Sequence, residues 1–152
     1  MDADSETLIQ RTSNAPWLPP GGTAEVIRRV TPPRPMSLVR VLLRRADTVF
    51  CVPRPESGRF DLPTAIASTD DPNGVRAVED LADRITGTPD GLQFLGAVKN
   101  IVVSPADGYV WPTPHAYFGV WTLPTDPIVD GSWLALGSHS ELRDRHWYPL
   151  VG

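Results

Sequence analysis

Two aspartates three residues apart, Asp80 and Asp83, have the residue type and spacing to do chemistry. On a helix, side chains three positions apart share a face and can reach a common partner. Carboxylate oxygens are the ligands that a hard divalent cation such as magnesium demands. The same residues have a plainer reading. Arg76 precedes Asp80 by four positions and Arg84 follows it by four, the spacing of surface ion pairs worth about 0.3–0.5 kcal/mol each. Further arginines, Arg44, Arg45, Arg54 and Arg59, flank apolar runs and a loop upstream. A guanidinium there could meet a phosphate bidentately, or could be a solvated strand end. Trp111, among Pro112 and Pro114 with Tyr109 nearby, could stack a base at a cleft mouth or pack a loop. His115, His139 and His146 are too scattered for a metal motif. Ser138-His139-Ser140 are sequence neighbours, which rarely aim at one another as a triad must.

The aspartate pair needs a helix, and the surrounding residues predict one. Asp71 is suited to capping it, Pro72 to its first position and Gly87 to its end. Val75, Val78, Leu81, Ala82 and Ile85 recur on one face, and Arg76, Glu79, Asp80 and Asp83 on the other. Before it, SLVRVLLRR and TVFCVPR are branched and aromatic runs separated by Ala46-Asp47, the pattern of a hairpin. After it come strand candidates at Phe94–Val103, His115–Leu123 and Trp133–Leu136. A final helix is expected near Ser138, with Glu141 completing a capping box. Mixed strands and helices with hairpin-length connections predict an α/β sandwich built on a mixed sheet.

Residues 1–35 read as a Pro-rich extension lying on a domain at 36–152, with a short helix around Ala24 to Val30 and order where Trp17 packs. At 152 residues and 41% hydrophobic content, the chain can bury a core of its own. A net charge of −4 argues against a nucleic-acid face. Cys51, the single cysteine, leaves no internal disulfide and lies in an apolar run as a core residue. The stretch MDADSETLIQ is acidic and lacks a long apolar segment, so neither a signal peptide nor a membrane anchor is expected and a cytoplasmic location follows.

The segment order and the Leu62-Pro63 loop before an acidic helix resemble the Nudix hydrolase superfamily. Its box, G-x5-E-x7-R-E-U-x-E-E-x-G-U, falls without gaps on Ala65, Asp71, Glu79, Asp80, Leu81, Asp83, Arg84, Thr86 and Gly87. Leu81 fits outright, and Asp71, Asp80 and Asp83 stand at glutamate positions. The resemblance implies a Nudix-like α/β/α sandwich with a mixed β-sheet. It also implies a magnesium or other divalent cation on Asp80 and Asp83, with Asp71 as a further catalytic acid and Arg54, Arg59 and Arg84 toward the substrate. The implied activity is hydrolysis of a diphosphate bond in a nucleoside diphosphate linked to another moiety. The box is degenerate, however. Arg84 stands at a ligand position, where a guanidinium about 5 Å from a divalent ion would be repelled by roughly 6–7 kcal/mol at an effective dielectric of 20. Glu79 replaces the bracing arginine, and Thr64-Ala65 replace a Gly-Gly pair. The alternative is therefore a catalytically silent domain that binds a nucleotide-like small molecule or a protein partner. A homodimer is an assembly either reading admits.

Overall fold

A computed structural model describes residues 6–151; residues 1–5 of the expected extension, and Gly152, lie outside that range. Ten strands and one α-helix follow in the order β1 (Thr7–Thr12), β2 (Thr23–Arg28), β3 (Met36–Leu42), β4 (Arg44–Arg45), β5 (Thr48–Pro53), β6 (Phe60–Asp61), β7 (Thr64–Ile66), α1 (Val75–Thr86), β8 (Gln93–Ile101), β9 (His115–Thr122) and β10 (Ser132–Ala135), with a 3₁₀ turn at Tyr148–Val151. One sheet runs β1-β2-β8-β9-β3-β7, and a smaller one runs β10-β5-β4 with β6 beside β5. β3 and β9 pair in parallel and the other neighbours are antiparallel, so the sheet is mixed as expected. The chain is mostly sheet. No helix among the described residues is long and apolar enough to cross a membrane.

Strand alternation divides the core in two. From β3, Val39 and Val41 point to one face and meet Val78, Leu81 and Ile85 of α1. Leu42 belongs to the opposite face with Val98, Phe118 and Val120, covered by Leu142, Trp147 and Leu150 of the C-terminal segment. Cys51 is buried in this second cluster, and burial pushes its thiol pKa up to about 12, so it is packing and not a nucleophile.

The helix starts later than its sequence suggests. Gly74, at φ 74°, is the N-cap, because a Cβ there would lie 2.6 Å from Met36 Cγ and 2.9 Å from Val39 Cγ1. Pro72 stays in the preceding turn, and Val75, expected on the packed face, is 45% exposed. Asp71 still caps the helix from outside it: its carboxylate accepts the Arg76 and Ala77 amides at 3.2 and 2.9 Å. Gly87 ends the helix as expected, its amide reaching the Asp83 carbonyl at 2.8 Å.

Two expected helices are something else. Ala24–Val30 is largely β2, a strand with neighbours on both sides, which sends Ile27 to the helix-side core and Val26 to the other. A short apolar run carries no period of its own, and pairing between β1 and β8 decides its form. Residues 7–28 are thereby continuous with the sheet of the 36–152 segment. Beyond Ser138 the chain makes successive i to i+3 turns, such as Arg145 to Leu142 and Tyr148 to Arg145, before the 3₁₀ turn. Leu142, Trp147 and Leu150 are all buried there, and Trp147 is held by the Asp61 carboxylate. Replacing Leu81, at the centre of the helix contact, should test this architecture: Leu81→Ala is expected to lower unfolding stability by about 3–4 kcal/mol in a urea titration.

Candidate functional site

The residues singled out from sequence do not converge. Asp71 is 7% exposed with both oxygens committed to helix amides. Glu79, Asp80, Asp83 and Arg84 project from the outer face of α1. Arg76 pairs with Asp70 at 3.2 Å. Arg54 donates to Asp61 through Nε at 3.0 Å and through Nη2, and Arg59 donates to Asp144 at 2.7 Å. Among the described residues, no three carboxylates, histidines or cysteines gather where they could hold a metal. The capping acid is engaged by two helix amides, and Asp80 and Asp83 stand on an open surface with no third ligand gathered beside them among the described residues.

The opposite face of the sheet carries a different constellation. There a cavity of about 310 Å³ opens over Leu38, Phe118 and Val98, which lie in one register row across β3, β9 and β8. Trp17, Tyr109, Trp111 and His146 wall it, and Arg40 and Asn100 also face it. Trp17 and His146 stack with centroids 4.1 Å apart at 21°, and Trp111 meets Phe118 edge-on at 5.2 Å. Tyr109 and Trp111, the pair at the expected cleft mouth, thus line this cavity. The buried Arg40 Nε and Nη1, Asn100 Oδ1 and the Tyr109 hydroxyl have no hydrogen-bond partner. In a folded protein such groups are normally paired, because an unmade bond in a low-dielectric site costs about 1–3 kcal/mol and more for a charged group. The Asn100 amide sits close enough to Tyr109 to temper the rise that burial imposes on the phenol, but the two do not meet hydrogen-bond geometry.

Asp61 supports this cavity from behind. It is 2% exposed. Its Oδ1 accepts the Leu62 amide at 2.8 Å and the Trp147 indole at 2.7 Å, while Oδ2 takes Arg54. Burial alone would raise its pKa, but Arg40, the indole and Arg54 outweigh burial and hold it low. Burial disfavours the Arg40 charge, Asp61 favours it and Arg54 opposes it; a guanidinium so placed stays cationic. His146 follows Arg145, whose Nε and Nη2 donate to the Phe60 carbonyl at 3.0 and 2.6 Å, and precedes the anchored Trp147. Burial first, then Arg40 and Arg54, depress its pKa against the opposing pull of Asp61 and Asp144, so the imidazole is neutral at neutral pH.

Sequence reasoning missed Arg40, Asn100 and Asp61, and set His146 aside with the other histidines. Arg40 did leave a signal, a lone cation inside the apolar run Ser37–Leu43. The other three acquire meaning only through contacts across the fold. Comparison with known proteins adds no family: no protein-family model matches the chain, and no curated protein matches it significantly.

Two outcomes follow from these electrostatics. Asp61→Asn leaves Arg40 and Arg54 uncompensated, and should cost about 3 kcal/mol or more in denaturant unfolding. For His146, the unfolded chain binds the proton first as pH falls, because the folded pKa is depressed. This group therefore leaves stability unchanged above its ordinary value near 6.5 and erodes it below. His146→Gln should flatten the decline of the thermal midpoint between about pH 6.5 and 5 relative to wild type.

Proposed function

We propose that this protein binds a nucleotide-like small molecule, without cleaving it, in the cavity on the helix-free face of the sheet. The observation that carries the reading is Arg40: a cation whose buried Nε and Nη1 lack acceptors, at an aromatic-walled cavity. Asp61 is its nearest compensation, yet Arg54, Trp147 and the Leu62 amide occupy that carboxylate. An anionic group entering the cavity would supply the missing acceptor through short, charge-assisted bonds. Indole, phenol and phenyl groups around it suit a flat ring. A volume of about 310 Å³ lies at the lower end of small-molecule sites, the size for one nucleotide unit rather than a large conjugate.

A degenerate Nudix-like domain, with one helix packed on a mixed sheet, belongs to the same proposal. It is supported by the order of loop, acidic helix and strands and by the parallel β3–β9 pair, and a cytosolic site of action, where nucleotides are abundant, goes with it. Magnesium-dependent hydrolysis would have to run on the outer face of α1, where Asp80 and Asp83 stand apart from this cavity.

Calorimetric titration with the adenosine, guanosine, cytidine and uridine mono- and diphosphates tests the reading. Arg40→Met should weaken the best ligand at least about 30-fold, the effect of removing one partner of a buried charged bond. Asp80→Asn and Asp83→Asn should bind as wild type does. If none of these nucleotides binds, or if magnesium-dependent cleavage appears by chromatography and is abolished by Asp80→Asn, the proposal fails.

A further inference from the structure

The unpartnered groups of the cavity stand at two ends of it. Arg40 lies in register with Val120, and Asn100 with Ala116. These positions fall on opposite sides of the Leu38–Phe118–Val98 row. Their backbones are separated by four residues along the strand direction and by two strand spacings across the sheet, on the order of 15 Å in all. Side chains shorten that span but leave the aromatic middle, Phe118 with Trp111 edge-on to it, between the two ends. A free phosphate reaches one end, and a free base reaches the other.

The ends also differ in charge. Arg40 is a permanent cation. The far end offers a carbonyl oxygen on Asn100 and a hydroxyl on Tyr109, and burial raises the phenol pKa, keeping it neutral. His146, beside the first end, is neutral as well. Among the described residues lining the cavity, one guanidinium is the only fixed positive charge. A single guanidinium engages one phosphate group, and a diphosphate's second group would meet no second cation among the described residues lining the cavity.

Resting on the binding reading above, we infer that the ligand is a nucleoside monophosphate lying along the cavity, with its phosphate on Arg40 and its base edge against Asn100 and Tyr109. The ribose then spans the Phe118 row. Asn100 Oδ1 accepts from a ring or exocyclic N–H, and the Tyr109 hydroxyl donates to a ring nitrogen or carbonyl.

Crossing ligand truncation with side-chain substitution tests this orientation. The probes are the four ribonucleoside monophosphates, the matching nucleosides and diphosphates, and ribose 5-phosphate, titrated into the full chain. Wild type should bind its preferred monophosphate at least about 30-fold more tightly than the nucleoside and more tightly than the diphosphate. In Arg40→Met the ratio of monophosphate to nucleoside affinity should fall to near one. In Asn100→Leu, monophosphate and nucleoside should weaken together by about 10-fold, with ribose 5-phosphate unchanged; Tyr109→Phe should act in the same direction. Circular dichroism and the thermal midpoint establish that each variant is folded, and Tyr109→Phe, which deletes one oxygen, serves where Asn100→Leu does not fold. Tight diphosphate binding with the monophosphate weaker would overturn the inference while leaving the binding reading in place. So would an Arg40→Met protein that loses nucleoside and nucleotide equally. Absence of binding by every probe would overturn both.

Discussion

A single buried carboxylate holds the helix-free side of this protein together. Asp61 lies in the two-residue strand β6 and engages the Leu62 amide, the Trp147 indole and Arg54, with the charge of Arg40 nearby. Taking a carboxylate out of water costs several kcal/mol unless its lone pairs are filled and its charge is balanced. Here both conditions are met, and meeting them recruits distant parts of the chain. Residue 147 is drawn onto residue 61, which fixes the C-terminal turns across the sheet. Arg145 fastens the same turns to the Phe60 carbonyl. His146, between these two anchors, has little choice but to face the cavity and stack on Trp17.

The arrangement divides labour between two arginines. Arg54 forms the close, two-pronged contact with Asp61 and is part of the scaffold. Arg40 shares the field of that carboxylate without bonding to it, so its charge is tolerated while its donors stay unused. Under the binding reading proposed above, a cation held this way would meet an anion already desolvated by folding, with none of its donors to be pulled away from a competing protein acceptor.

Local chemistry was legible in the sequence wherever one segment decides its own conformation. Val78, Leu81 and Ile85 announce α1, Gly87 its end and Ala46-Asp47 a turn, where Ala46 takes φ 51°, but the expected hairpin is confined to Arg44–Arg45 on β5, because β3 leaves for the other sheet. Asp80 and Asp83 do share the exposed face of α1 as their spacing implies, but spacing does not say which face meets a cavity. β2 was misread because four consecutive buried residues, Ala24 to Ile27, belong to a strand covered on both faces and show no alternation. The C-terminal turns were misread because Ser138 and Glu141 mimic a cap, while the burial of Trp147 on Asp61 dictates another path. The cavity assembles residues 17, 40, 100, 109 and 146, and nothing in their local context brings them together. Contacts between distant segments do so: the pairing of β3 and β8 with β9, and the Asp61–Trp147 bond beside His146.

The sheet also acts as a partition. Leu38 and Arg40 serve the cavity, while Val39 and Val41, their immediate neighbours, serve the helix. Side chains that alternate across a strand pack against different partners. Substitutions in adjacent codons of β3 therefore report to separate compartments. The lining of one face can change while the core beneath the helix keeps its packing. The acids of α1 stand outside both compartments, on the exposed face of the helix.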